Sequence, residues 1–304
     1  MLFVSLRSFA AAPPFELKDG DRVAFLGDTL MEREQYYGWI ELMLTARFPD
    51  RHVTFRNLGW SADTPAGDSR FGLSLLQAGH EPAEEGWKQL QKQITDVKPT
   101  VVFLGYGMAS SFDGEAGLPK FKADYERLLD TIEKLSPGVR FVMLSPIKHE
   151  KLPLLTDPAQ HNEILASYAK AIQGIAEKRG HSFVGMMFSV PQAGRTTTLI
   201  TDNGIHLNAQ GYEVAANIIA SGLGWEKHVP SASIYESLRQ VILRKNEFFF
   251  YRSRPETKDV SHVRRARTVE EEFVFTEDDL AELLNDWRVP QFSKNQVVLF
   301  AVSA

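Results

Sequence analysis

The 304-residue chain has no cysteine, which removes disulfides, thiolate metal sites and cysteine nucleophiles together. No apolar run approaches the roughly 20 residues that a membrane-spanning helix needs, so no membrane span is expected. Positive charge is in deficit: 34 Lys and Arg against 39 Asp and Glu give a formal charge of −5, which argues against a nucleic-acid partner. No GxxxxGK phosphate loop occurs, and no His, Asp and Glu spacing fits a zinc or calcium signature, so neither metal nor cofactor is expected. Gly105-x-Gly107-x-x-Ser110 has two glycines of a dinucleotide turn but lacks the third, and no acid is placed for a ribose. Repeats and low-complexity blocks are missing too.

What is present is an ordinary globular composition, 43% hydrophobic, 11% aromatic and 24% charged. Its length exceeds one typical core, so one large domain with an appendage is expected. Residues 1–19 form a leader. Its first fourteen, MLFVSLRSFAAAPP, read equally as the remnant of a signal peptide or as a plain disordered leader. From residue 21, short apolar runs alternate with amphipathic segments. Strands are predicted over 22–26, 52–55, 101–104, 140–144 and 182–184, and helices over 30–48, 86–97, 121–135, 159–179 and 210–223. Such alternation predicts an α/β fold, a parallel sheet covered on both faces. Residues 20–228 make this domain and 229–304 a mostly helical extension, with a helix at 234–243 and a capping box at Thr276 and Asp279. The basic run at 262–267 is followed at once by Glu270, Glu271 and Glu272, the pattern of a solvated face.

In open parallel sheets ligands bind at the carboxyl ends of the strands. Four polar clusters fall there: Gly27-Asp28-Thr29, Asn57-Leu58-Gly59-Trp60-Ser61, Gly105-Tyr106-Gly107-Met108-Ala109-Ser110, and Asp202-Asn203-Gly204-Ile205-His206. Their order and spacing resemble the SGNH (GDSL-type) hydrolases over about residues 20–225, with FRNLGWSADT, FLGYGMASSFDGEAGLPKF and TDNGIHLN similar to one uncharacterised bacterial branch. The segment KNEFFFYRSRP looks like that branch's own extension.

The resemblance implies a flavodoxin-like three-layer sandwich and hydrolysis of an acyl or acetyl ester, on a small molecule or a carbohydrate, by nucleophilic acyl transfer. It also implies export to the periplasm or beyond. Carried over residue by residue, Thr29 stands at the nucleophile, Gly59 at the oxyanion-hole amide, Ala109 at the side-chain donor and His206 at the base. Asp202 or Asn203 orients that base. Asp28, Asn57, Gly107, Ala109 and Ser110 line the substrate site.

Three of these positions depart from the family pattern. Thr29 adds a methyl to the carbon that bears the attacking oxygen, Ala109 donates nothing, and Asn203 cannot stabilise imidazolium by charge. Ser61 offers an alternative hydroxyl, Ser110 and Ser111 alternative donors, and His149 a second imidazole beside the cleft. Glu32, Arg33 and Glu34 read as exposed pairs on the first helix. Two functions therefore stand side by side: an ester hydrolase, and a catalytically impaired relative that binds glycans or envelope polymers.

Overall fold

The computed structural model describes residues 14–70, 79, 81–152, 157–188, 199–225 and 232–253. Five parallel strands, β1 (Arg22–Gly27), β2 (Thr54–Asn57), β3 (Val101–Gly105), β4 (Arg140–Leu144) and β5 (Ser182–Val184), form one sheet in the order β2-β1-β3-β4-β5. That order is the flavodoxin-like one, and it reverses direction between β1 and β3. The described helices are α1 (Thr29–Tyr37), α2 (Trp39–Arg47), α3 (Pro82–Val97), α4 (Gly114–Leu135), α5 (Ala159–Arg179), α6 (Ala209–Gly222) and α7 (Ala232–Ser253).

Strand side chains alternate between faces, and the core divides accordingly. Val23, Phe25, Val101, Phe103 and Leu144 pack with residues of α2, α6 and α7, whereas Ala24, Leu26, Val102, Leu104 and Met143 pack with α3, α4 and α5. Both faces are buried, which is why these strands read as unbroken apolar runs. No described helix is long and apolar enough to cross a membrane.

Two expectations are corrected. The helix predicted over 30–48 is two helices, broken at Gly38, whose left-handed φ of 68° caps α1. A Cβ there would also come within 3.1 Å of Leu243 on α7. Apolar spacing runs on through the break, so periodicity did not reveal it.

Glu32 and Glu34 are not exposed; they are 7% and 1% accessible. Glu34 accepts from the Ile40 and Glu41 amides at 2.7 and 3.3 Å and so caps α2 from α1.

Residues 15 and 17, at the end of the stretch read as leader, pack on the domain. Leu17 is fully buried, Phe15 packs on the core, and Phe15 N donates to Leu223 O at 3.2 Å.

Helix α7 belongs to the same core through Leu238 and Ile242. Its Lys245 pairs with Glu41 at 2.5 Å, both side chains buried, and Arg239 donates to Tyr37 O at 2.8 Å. The capping box at 276–279 and the basic run at 262–267 lie outside the described residues.

Candidate active site

The order reversal puts the ends of β1 and β3 side by side, with Gly27 paired to Gly105 and Asp28 N donating to Gly105 O at 2.9 Å. Asp28 caps α1 through Leu30 N at 3.1 Å and reaches across to Met108 N at 3.1 Å and the Ala109 amide. Burial pushes its carboxyl up to about 7, against the pull of those amides. Thr29, half-buried, opens α1, and its Oγ1 accepts from Ala62 N at 3.0 Å. Thr29, Met108, Ile147 and Ile205 line a narrow crevice there.

The loop after β2 is drawn tightly onto α1. A Cβ on Gly59 would lie 2.2 Å from Glu32 N, so only glycine fits that approach. Asn57 fastens the contact, donating through Nδ2 to Met31 O at 2.7 Å and accepting Gly59 N at 2.8 Å. Asn57 thus clamps loop to helix, and the Gly59 amide points at Asn57. Ser61 is exposed and donates to the Glu32 carboxylate, and Ala62 takes a left-handed φ of 54°. Below, Arg70 pairs with Asp63 at 2.7 Å, both fully buried, and donates to Leu58 O and Gln93 Oε1.

After β3, Gly107 turns the chain against Pro146. The Ala109 side chain offers no donor, and the amides of Met108 and Ala109 are already given to Asp28. Ser110 is buried at the head of a short 3-10 turn, Ser110–Asp113. Ser111 donates to Met108 O at 2.7 Å and meets His161 Nε2 at 2.8 Å. His161 Nδ1 in turn lies 2.9 Å from His149 Nδ1. His149 abuts Gly204 and props the last loop.

That loop, residues 200–206, hangs on Glu150, which sequence reasoning missed. Its carboxylate accepts Thr201 N at 3.0 Å and the Thr201 hydroxyl at 2.5 Å, and its own amide donates to Gly204 O at 2.7 Å. Its position a few residues past β4, at the carboxyl edge of the sheet, was the available signal. Asp202 donates its amide to His206 O at 2.8 Å, while its carboxylate pairs with Arg33 of α1 at 2.5 Å.

Asn203 holds the histidine instead. Its Oδ1 accepts Ile205 N at 3.3 Å and His206 N at 3.0 Å, which turns its NH2 toward His206 Nδ1 at 3.2 Å. An NH2 group can only donate, so Nδ1 is the acceptor and the ring proton sits on Nε2. Burial, then Arg33, lowers the pKa of His206. Among the described residues no group of three or more His, Asp or Glu is placed to hold a metal.

The fold has solved counterparts. An acetylxylan esterase from Geobacillus stearothermophilus aligns with a TM-score of 0.51 at 15% identity, covering 70% of this chain and 98% of that one. A GDSL-like lipase-type protein from Parabacteroides merdae aligns at 0.53 and 16% identity, over 70% of this chain and 100% of the other. At such identities the likeness is one of fold. No curated protein matches the chain. The model of the GDSL-like lipase/acylhydrolase family matches residues 20–214, the stretch that supplies the sheet and all four loops around the crevice, and the chain belongs to that family.

Proposed function

We propose that this protein hydrolyses a short acyl ester, most specifically an acetyl group carried on a carbohydrate, in the crevice between the ends of β1 and β3. Ester hydrolysis is the chemistry of its family. The observation that supports the finer reading is the narrow, mostly apolar crevice walled by Met108, Ile147 and Ile205, which favours a small acyl group over a long chain and leaves the alcohol part in solvent. The acetylxylan esterase of like fold acts on an acetylated polysaccharide, in keeping with that class.

The reaction is acyl transfer through a hydroxyl: a tetrahedral intermediate forms and expels the alkoxide, and water then hydrolyses the acyl ester left on the protein. His206 enters as a hydrogen-bond donor through Nε2, toward developing negative charge. Turnover of p-nitrophenyl acetate and of acetylated xylo-oligosaccharide by the full chain tests the reading, with His206→Ala beside it. A loss of about 100-fold or more in the variant supports it, the range for one donor to an oxyanion.

Rates no higher than the uncatalysed background in both proteins overturn turnover and leave the second reading, an acyl-glycan receptor without catalysis. The methyl of Ala109 and the engaged Gly59 amide favour that alternative. Export, read from residues 1–14, agrees with a glycan substrate. Recovery of the full-length chain from cytoplasm alone overturns it.

A further inference from the structure

If Asn203 keeps the proton on His206 Nε2, the reaction needs another base, and a second hydroxyl already has one. We infer that Ser61 is the nucleophile and Glu32 its general base, a reading that rests on ester hydrolysis at this crevice. Ser61 Oγ donates directly to Glu32 Oε2, so the proton acceptor is in hydrogen-bond contact before any substrate arrives. Thr29 is placed otherwise. Its described hydroxyl contact is the Ala62 amide, which donates to Oγ1, and its β-methyl crowds the approach of a carbonyl carbon.

Geometry sets the pair beside the crevice, next to Thr29, which lines it. Ser61 is exposed, whereas Glu32 is 7% accessible on α1, its backbone against Gly59. Glu32 and Arg33 are the α1 charges that His206 feels, together with Asp202 of its own loop. The Ala62 amide that binds Thr29 belongs to the residue after Ser61, so the two hydroxyls border one place. Ala62 holds its left-handed φ of 54° because Thr29 Oγ1 takes its amide and Ser69 Oγ donates to its carbonyl at 2.9 Å. A non-glycine residue in that region is strained and persists where its surroundings over-determine it, commonly at functional turns. This turn presents Ser61 outward.

The step balances. Ser61 Oγ bonds to the acyl carbon while its proton passes to Glu32 Oε2 and the carbonyl π pair moves to oxygen. Collapse breaks the bond to the alkoxide, which takes the proton from Glu32. Water then gives a proton to Glu32, adds to the acyl carbon, and collapse returns that proton to Ser61 Oγ. His206 Nε2–H donates a hydrogen bond to the oxyanion throughout and transfers nothing.

The test is covalent trapping of the full chain with an alkyl fluorophosphonate, followed by peptide mapping, beside p-nitrophenyl acetate turnover. The expected result is one phosphonyl adduct on the peptide at Ser61. Ser61→Ala is expected to lose adduct and turnover at least 100-fold. Glu32→Gln, which keeps the hydrogen bond but accepts no proton, loses both without a matching fall in melting temperature. An adduct on Thr29, or Ser61→Ala turning over like the wild type, overturns the pair and leaves ester hydrolysis standing. An absent adduct overturns the pair whatever turnover does; absent adduct with absent turnover removes the esterase reading as well. Because mapping uses the natural sequence, it decides the point even where a variant fails to fold.

Discussion

Asn203 differs from an aspartate by one NH2 group, and that group decides which nitrogen of His206 carries the proton. With its Oδ1 committed to two backbone amides, the amide cannot flip to accept from the ring. A second proton on Nδ1 would face a donor, and burial and Arg33 disfavour it further. Asn203→Asp reverses this: the carboxylate accepts from Nδ1–H and favours imidazolium. Nitrogen-15 NMR of the imidazole is expected to show Nε2–H in the wild type and Nδ1–H in the variant, with the titration midpoint moved upward in the variant. A wild-type ring with Nδ1–H overturns the assignment.

Gly59 is a second residue-scale case, because its Cβ would overlap the α1 backbone. Gly59→Ala is expected to cost more than about 2 kcal/mol in a denaturant melt, as backbone overlap has no flexible side chain to yield. At this scale the sequence was only partly legible. Loop glycines and His206 stood out by position, but hydrogen-bond direction did not: nothing in the string says that Asn57 consumes the Gly59 amide, or that Asp202 turns to Arg33.

Elements were read more securely. The helix over residues 159–179 and the strands at 140–144 and 182–184 agree with the structure because their apolar periods are unambiguous. What escaped was polar burial between elements. Glu34 and Glu41 face α7, and Lys245 and Arg239 come from residues two hundred positions later, so local pattern could only call the acids solvent-facing. Burial lowers the pKa of Lys245 while Glu41 supports its charge. Breaking that pair strands a buried carboxylate. Lys245→Met is expected to cost about 3–5 kcal/mol in a denaturant titration, and Glu41→Leu with Lys245→Met to recover most of it. A single variant as stable as the wild type would show that α7 does not dock through this pair.

The molecule as a whole folds around buried acids that prefer to be protonated. Asp28, pushed up to about 7, binds a proton in the native state that the unfolded chain, at 3.8, has released. Its stabilising share is therefore full below 3.8 and is lost as pH rises through about 7. Glu34 has the same sign: burial raises it well above 4.5, the Glu41 carboxylate adds to the rise, and Arg239 and the two capping amides only partly oppose it. Among the described residues one of its oxygens, Oε2, has no hydrogen-bond partner, while Oε1 accepts both capping amides of α2.

Glu34→Gln keeps the capping oxygen and puts an uncharged NH2 where Oε2 was, so it removes the ionisation without removing the cap. The native wild type pays to ionise Glu34 as pH rises above 4.5, and the variant does not. Melting temperatures from pH 5 to pH 8 are expected to fall for the wild type and to fall less for Glu34→Gln. The gap widens toward pH 8 to at least about 1 kcal/mol, or roughly 2–4 °C for a domain of this size. Asp28 titrates in both proteins, so the difference between the two curves isolates Glu34. Parallel curves would mean that Glu34 ionises freely and that solvent reaches the α1–α2–α7 junction.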